Sequence, residues 1–154
     1  MNSHVPLRLA TLALAGPLAL AGCITAGIPV DPQSAALTRA IGTDASAFYA
    51  ALAGKSEPQC RYEQNMNFYA ALAASTDTLR ARLAAASTGA ARLRSAAALA
   101  STIEAARASH ALASARGDDP HGRCMAPGAI ALNAGAIARA SAALTASIPF
   151  EGDR

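Results

Sequence analysis

The stretch FYAALAASTDTLRARL, residues 68–83, decides the fold class. Phe68, Leu72, Leu79 and Leu83 fall at helical intervals and line one face of an α-helix. Tyr69 and Thr76 lie on that face or its flank, as do Tyr62 and Asn65 just upstream. Alanine fills much of the rest, and alanine loses no side-chain entropy on entering a helix. Upstream, Ser56-Glu57-Pro58-Gln59 reads as the helix start. Ser56 can cap, Gln59 completes a capping box, and Pro58 is tolerated in the first turn. Downstream, Ser87-Thr88-Gly89 reads as its end.

The same spacing recurs on both sides. Leu37, Ile41, Phe48 and Leu52 predict a helix over 33–53, weakened by Gly42 and stopped by Gly54. Leu99, Ile103, Ala106 and His110 predict a third helix over 90–116, with Leu93 and Leu112 off its face. A polar loop follows, containing Asp118, Asp119, Pro120, His121 and Gly122. Pro127 then suits the first turn of a fourth helix running to about Ile148, with Ile130, Ile137, Leu144 and Ile148 facing inward. Four amphipathic helices with two short connections and one longer loop predict an all-α domain over 33–154. Its architecture is an up-down-up-down four-helix bundle. Hydrophobic residues make up 53% of the 154, but aromatics only 4% and Trp is absent, so the core must be thin and closely packed.

The N-terminus is of another kind. Met1 to Arg8 is a short polar segment with one positive charge, and Leu9 to Leu20 is an apolar run too short to span a bilayer and interrupted by Pro17. The run ends in Leu20-Ala21-Gly22-Cys23. This motif resembles the lipobox of bacterial lipoproteins, a resemblance confined to residues 1–23. It implies removal of residues 1–22 as a signal peptide and attachment of lipid (a diacylglyceryl thioether, usually with an N-acyl chain) to Cys23. Several acyl chains on one residue anchor stably where one chain does not. Ile24 is not the aspartate that often retains such proteins in the inner membrane. The resemblance therefore implies an outer-membrane anchor facing the periplasm. Residues 23–32, with Gly27, Pro29 and Pro32, read as lipidated cysteine and tether.

Cys60 and Cys124 remain, an even pair in an exported chain, which favours a disulfide. The topology agrees. In an up-down-up-down bundle the first and third connections lie at the same end, and the two cysteines sit at or in those connections.

Five polar residues fall on or beside faces expected to be buried: Asp44, Asn65, Arg107, His110 and Asn133. Helix rise puts all five in a band roughly 10–15 Å below the disulfide end, bordered by Tyr62 and Tyr69. A satisfied polar layer would pair Asp44 with Arg107 or His110, and Asn65 with Asn133 across the core. The functional alternative is an interhelical pocket, with Arg107 holding an anionic group and the tyrosines supplying rings.

Other chemistry finds little support. There is no HExxH or metal-spaced His/Glu pair, no GxSxG and no glycine-rich phosphate loop. No metal, cofactor or enzymatic activity is expected. The formal charge is +3 with a pI near 9.1, yet the basic residues are scattered singly, which argues against nucleic-acid binding. The expectation is an envelope lipoprotein acting as a non-enzymatic binding or structural module. It meets the membrane through its lipid and an envelope protein through its loop end. The alternative is a small-molecule-binding bundle. Glu63 to Tyr69, pairing amides with aromatics, is the candidate partner surface. Nothing in the sequence fixes the oligomeric state.

Overall fold

The computed structural model describes residues 31–86, 88–116 and 122–147. The expectations for the signal segment, Cys23, the tether up to residue 30, His121 and Ile148 lie outside those residues. Four helices follow in chain order: α1 (Pro32–Ala53), α2 (Tyr62–Ala85), α3 (Ala90–Ala115) and α4 (Pro127–Ala146).

The helices form a closed ring. α1 packs on α2 and α4, α3 packs on the same two, and the backbones of diagonal pairs do not meet among the described residues. The direction of each helix is read from contacts between ends. The N-cap Asp31 of α1 takes two bonds of 3.0 Å from Arg82 in the last turn of α2. Arg92 near the start of α3 donates to the carbonyl of Ser147 at the C-cap of α4 (2.7 Å). At the other end, the Cys60–Cys124 disulfide joins the α1–α2 connection to the α3–α4 connection. The expected up-down-up-down bundle with one interloop disulfide is what the chain forms.

The core is a column of Ile41, Leu52, Leu72, Leu79, Leu83, Leu99, Ile103, Ile137 and Leu144, with Ala45, Ala96 and Ala106 at the close approaches. Thr38 and Thr76 are fully buried, and each hydroxyl bonds the carbonyl four residues earlier, so neither is left without a partner. Gly42 does not merely weaken α1. A Cβ there would sit 3.2 Å from the Cβ of Ser141, so the missing side chain is what lets α1 and α4 approach.

Two boundaries differ from the sequence reading. α1 begins one residue earlier because Asp31 caps it, accepting from the Gln33 amide (3.1 Å) and the Ser34 hydroxyl (2.6 Å). α2 begins at Tyr62, not near Ser56, and has no side-chain cap. Glu57 precedes a proline and is biased away from helical backbone. Residues 54–61 are instead a connection that turns back over the bundle end.

Candidate functional site

Of the five residues expected in the polar band, His110 joins a buried hydrogen-bonded chain with Tyr69 and Tyr49. Tyr49 Oη lies 3.2 Å from Tyr69 Oη, Tyr69 Oη 2.9 Å from His110 Nδ1, and His110 Nε2 2.8 Å from the Cys60 carbonyl. All three side chains are buried. Donor directions follow from the far end. A carbonyl only accepts, so Nε2 carries a hydrogen. Burial pushes the His110 pKa down, which leaves Nδ1 as a lone pair. Tyr69 therefore donates to Nδ1, its hydrogen is spent, and Tyr49 donates to the Tyr69 oxygen. Burial also raises the pKa of both tyrosines, so each stays protonated.

Aromatic rings wall this chain in. Phe48 stacks on Phe68 (3.7 Å between centroids, 8° between planes) and meets Tyr69 edge-on at 5.6 Å. Tyr62 stands edge-on to His110 at 5.8 Å. Of the three Phe and three Tyr in the sequence, all but Phe150, which lies outside the described residues, gather here.

Above the rings, polar bonds tie the two connections together beside the disulfide. Ser114 Oγ accepts from the Tyr62 amide (2.6 Å) and donates to the Arg123 carbonyl (3.3 Å), while Arg123 Nε donates to the Ser114 carbonyl (2.7 Å). Glu57 accepts from the Arg123 amide (2.7 Å) and from Arg61. Those partners hold the Glu57 carboxyl below its usual pKa, Arg61 contributing most. Gly122 makes this possible. It has φ +63°, and a Cβ there would meet Glu57 Oε1 at 2.6 Å.

The five residues expected in the band, and Tyr69 at its border, have separate fates. Tyr69 and His110 form its centre. Asn65 is buried, but its Nδ2 donates to the carbonyls of Gln59 (2.9 Å) and Arg61 (2.6 Å), so it holds the α1–α2 connection rather than bonding Asn133. Asn133 is buried with its Nδ2 unpartnered. Arg107 stays at the surface, paired with Glu104 (2.5 Å) and donating to the Tyr62 hydroxyl (2.8 Å). Asp44 is exposed and takes no part, which corrects the expectation of a buried carboxylate. It precedes Ala45 by one residue, a rotation of about 100° off the Ile41–Ala45–Tyr49–Leu52 face that α1 buries. Tyr49, Glu57, Ser114 and Arg123 were missed. Ser114 follows His110 by four residues and shares its face, and Tyr49 follows Ile41 by two turns, so both carried a readable signal.

Two cavities border the site among the described residues. One, beside Tyr69, Glu104 and Arg107, measures about 70 Å³, and the other, beside Cys60 and Cys124, about 230 Å³, both smaller than the roughly 300–1,000 Å³ of a drug-sized ligand's pocket. No group of three or more His, Cys, Asp or Glu stands together among the described residues. Comparison with known proteins adds no relative: no family model, no curated protein and no solved structure matches the chain.

Proposed function

We propose that this chain is a lipid-anchored envelope protein whose helical domain serves as a non-enzymatic binding or structural module, presenting its disulfide end to an envelope partner. The observation that carries the reading is the internally paired chain of Tyr49, Tyr69 and His110 below the disulfide. The hydrogen bonds from Tyr49 to the Cys60 carbonyl commit Tyr49, Tyr69 and His110 to one another inside the fold, which supports a stiffening role for them.

The anchor rests on Leu20-Ala21-Gly22-Cys23 and on a disulfide suited to an oxidising compartment. The fold supports an orientation for such an anchor. Asp31, where the tether would join, lies at the end opposite Cys60, so a lipid on Cys23 leaves the disulfide end pointing away from the membrane. That end carries exposed Glu63, Gln64 and Asn67 beside Met66, which is 50% exposed.

Growth with a clickable fatty acid tests the anchor. The chain is expected to take the label and float with outer membranes, and Cys23→Ser to do neither. An unlabelled wild-type chain in the soluble fraction would overturn the anchor. A photoreactive residue at position 66 tests the module. One discrete protein adduct is expected, and a large thermal shift with a metabolite, with no adduct, would favour a ligand carrier instead.

A further inference from the structure

Arg39, Arg80, Arg82, Arg92, Arg94 and Arg139 are scattered along the chain, but the antiparallel helices bring them to one end. In the half of the bundle nearest Asp31, the described charged residues are these six arginines against Asp31 and Asp77. Each helix contributes one exposed arginine to a collar: Arg39 from α1, Arg80 from α2, Arg94 from α3 and Arg139 from α4. Helix rise puts their Cα atoms about 6–11 Å from the helix termini at that end.

Acids offset only part of this charge. Asp31 takes up Arg82 at 2.9 Å, and Asp77 faces Arg80 at 3.5 Å with both side chains exposed. Arg92 spends its Nε hydrogen on the Ser147 carbonyl, a neutral group that leaves its charge in place. Glu151, Asp153 and Arg154 follow α4 in the sequence and leave the excess positive. The disulfide end differs. Glu57 answers Arg61 and Glu104 answers Arg107, while Glu63, with Asp118 and Asp119 of the third connection, stands against Lys55, Arg116 and Arg123. The two signs balance there.

The excess lies where the tether would join. Cys23 and Asp31 are eight residues apart, a span of at most about 29 Å when fully extended. With lipid on Cys23, the anchor proposed above and the premise here, this end is held beside the headgroups. The disulfide end stands a helix length of about 30 Å further out. Screening then selects the near end, because at physiological salt charges act over about 8 Å. Basic residues at an anionic lipid surface add their attractions, and long arginine stems let the guanidinium groups reach down to it. The tether makes the contact intramolecular, so several weak attractions suffice. We infer that the tether end of the bundle is a docking face for anionic phospholipid headgroups, with Arg39, Arg80, Arg94 and Arg139 ringing the contact.

The test reconstitutes the full chain, as cells process it, into vesicles of phosphatidylcholine alone or with about 30 mol% phosphatidylglycerol. A dye on Ala84→Cys, beside the collar, or on Asn67→Cys, toward the disulfide end, reports contact with a headgroup quencher; both positions are exposed on α2. Phosphatidylglycerol is expected to bring quenching at 84 and none at 67. Salt at about 0.5 M, or Arg80→Glu combined with Arg94→Glu, is expected to cut that quenching at least about 10-fold while the helical circular dichroism stays in place. The anchor is read separately. A chain that leaves phosphatidylcholine vesicles overturns the anchor, and the face is then read from salt-sensitive flotation with phosphatidylglycerol vesicles, whose absence overturns the face as well. Equal quenching at 84 and 67, quenching indifferent to phosphatidylglycerol, salt and charge reversal, or collar-dependent binding to polyglutamate but not to these vesicles would each overturn the docking face.

Discussion

Removing the Tyr69 hydroxyl tests the direction of the buried chain. This oxygen does two jobs, donating to His110 Nδ1 and accepting from Tyr49. Tyr69→Phe keeps the ring but orphans two groups at once, the Nδ1 lone pair and the Tyr49 O–H, both beyond the reach of water. At about 1–3 kcal/mol for each stranded polar group, the variant is expected to lose about 2–6 kcal/mol. Tyr49→Phe removes only the terminal donor, and Tyr69 still spends its hydrogen on His110, so it is expected to cost about 1 kcal/mol or less. The double variant carries the sharper test. It strands Nδ1 but no longer strands a tyrosine hydroxyl, so it should be more stable than Tyr69→Phe alone by about 1 kcal/mol. Urea unfolding followed by far-ultraviolet circular dichroism, with the disulfide intact, measures all three. If Tyr49→Phe costs as much as Tyr69→Phe, or the double variant is the least stable, the donor directions run the other way.

Acid should weaken the fold through the same histidine. Burial lowers the His110 pKa, opposed by the Cys60 carbonyl and Glu63 and assisted by Lys55, while burial keeps Tyr49 and Tyr69 protonated. The unfolded chain therefore binds a proton before the folded one does. The contribution is complete above about pH 6.5 and is lost as pH falls toward the folded value, by about 1.4 kcal/mol for each pH unit that separates the folded and unfolded values. His110→Gln is expected to flatten that slope in urea melts between pH 7 and 5, and an unchanged slope would refute the assignment. Replacing both Cys60 and Cys124 by alanine, across a separation of 64 residues, is expected to cost about 4 kcal/mol by loop entropy. Measured loss near zero would mean that the Glu57 and Ser114 ties hold the connections unaided. Gly42→Leu should drive a side chain into Ser141 and cost about 1–3 kcal/mol by thermal melting. Arg107→Met, by contrast, should stay within about 1 kcal/mol of wild type, since its carboxylate partner Glu104 is exposed.

The helices were legible because each depends on its own residues. Period and punctuation specify α1, α3 and α4 nearly to the residue, and the placing of two cysteines at like-oriented connections predicts their bond. The start of α2 escapes local rules for a physical reason. Ser56 to Gln59 has the form of a capping box, yet Glu57 finds better partners in Arg61 and the Arg123 amide, which is far along the chain and close only in the fold.

The sequence by itself determined that the chain is four alanine-rich helices, which of their faces are apolar, and that polar residues collect below one end. Tertiary structure alone decided which of those polar residues meet. A helical wheel resolves a face to within about one residue step of 100°, too coarse to separate Phe48 from Tyr49 or to see that Asp44 turns outward. Burial of Tyr49, Tyr69 and His110 depends on where neighbouring helices cross, and the hydrogen-bond order among them depends on a single carbonyl brought over from the α1–α2 connection. That carbonyl can only accept, and this fact, invisible in the chain order, orients each donor behind it.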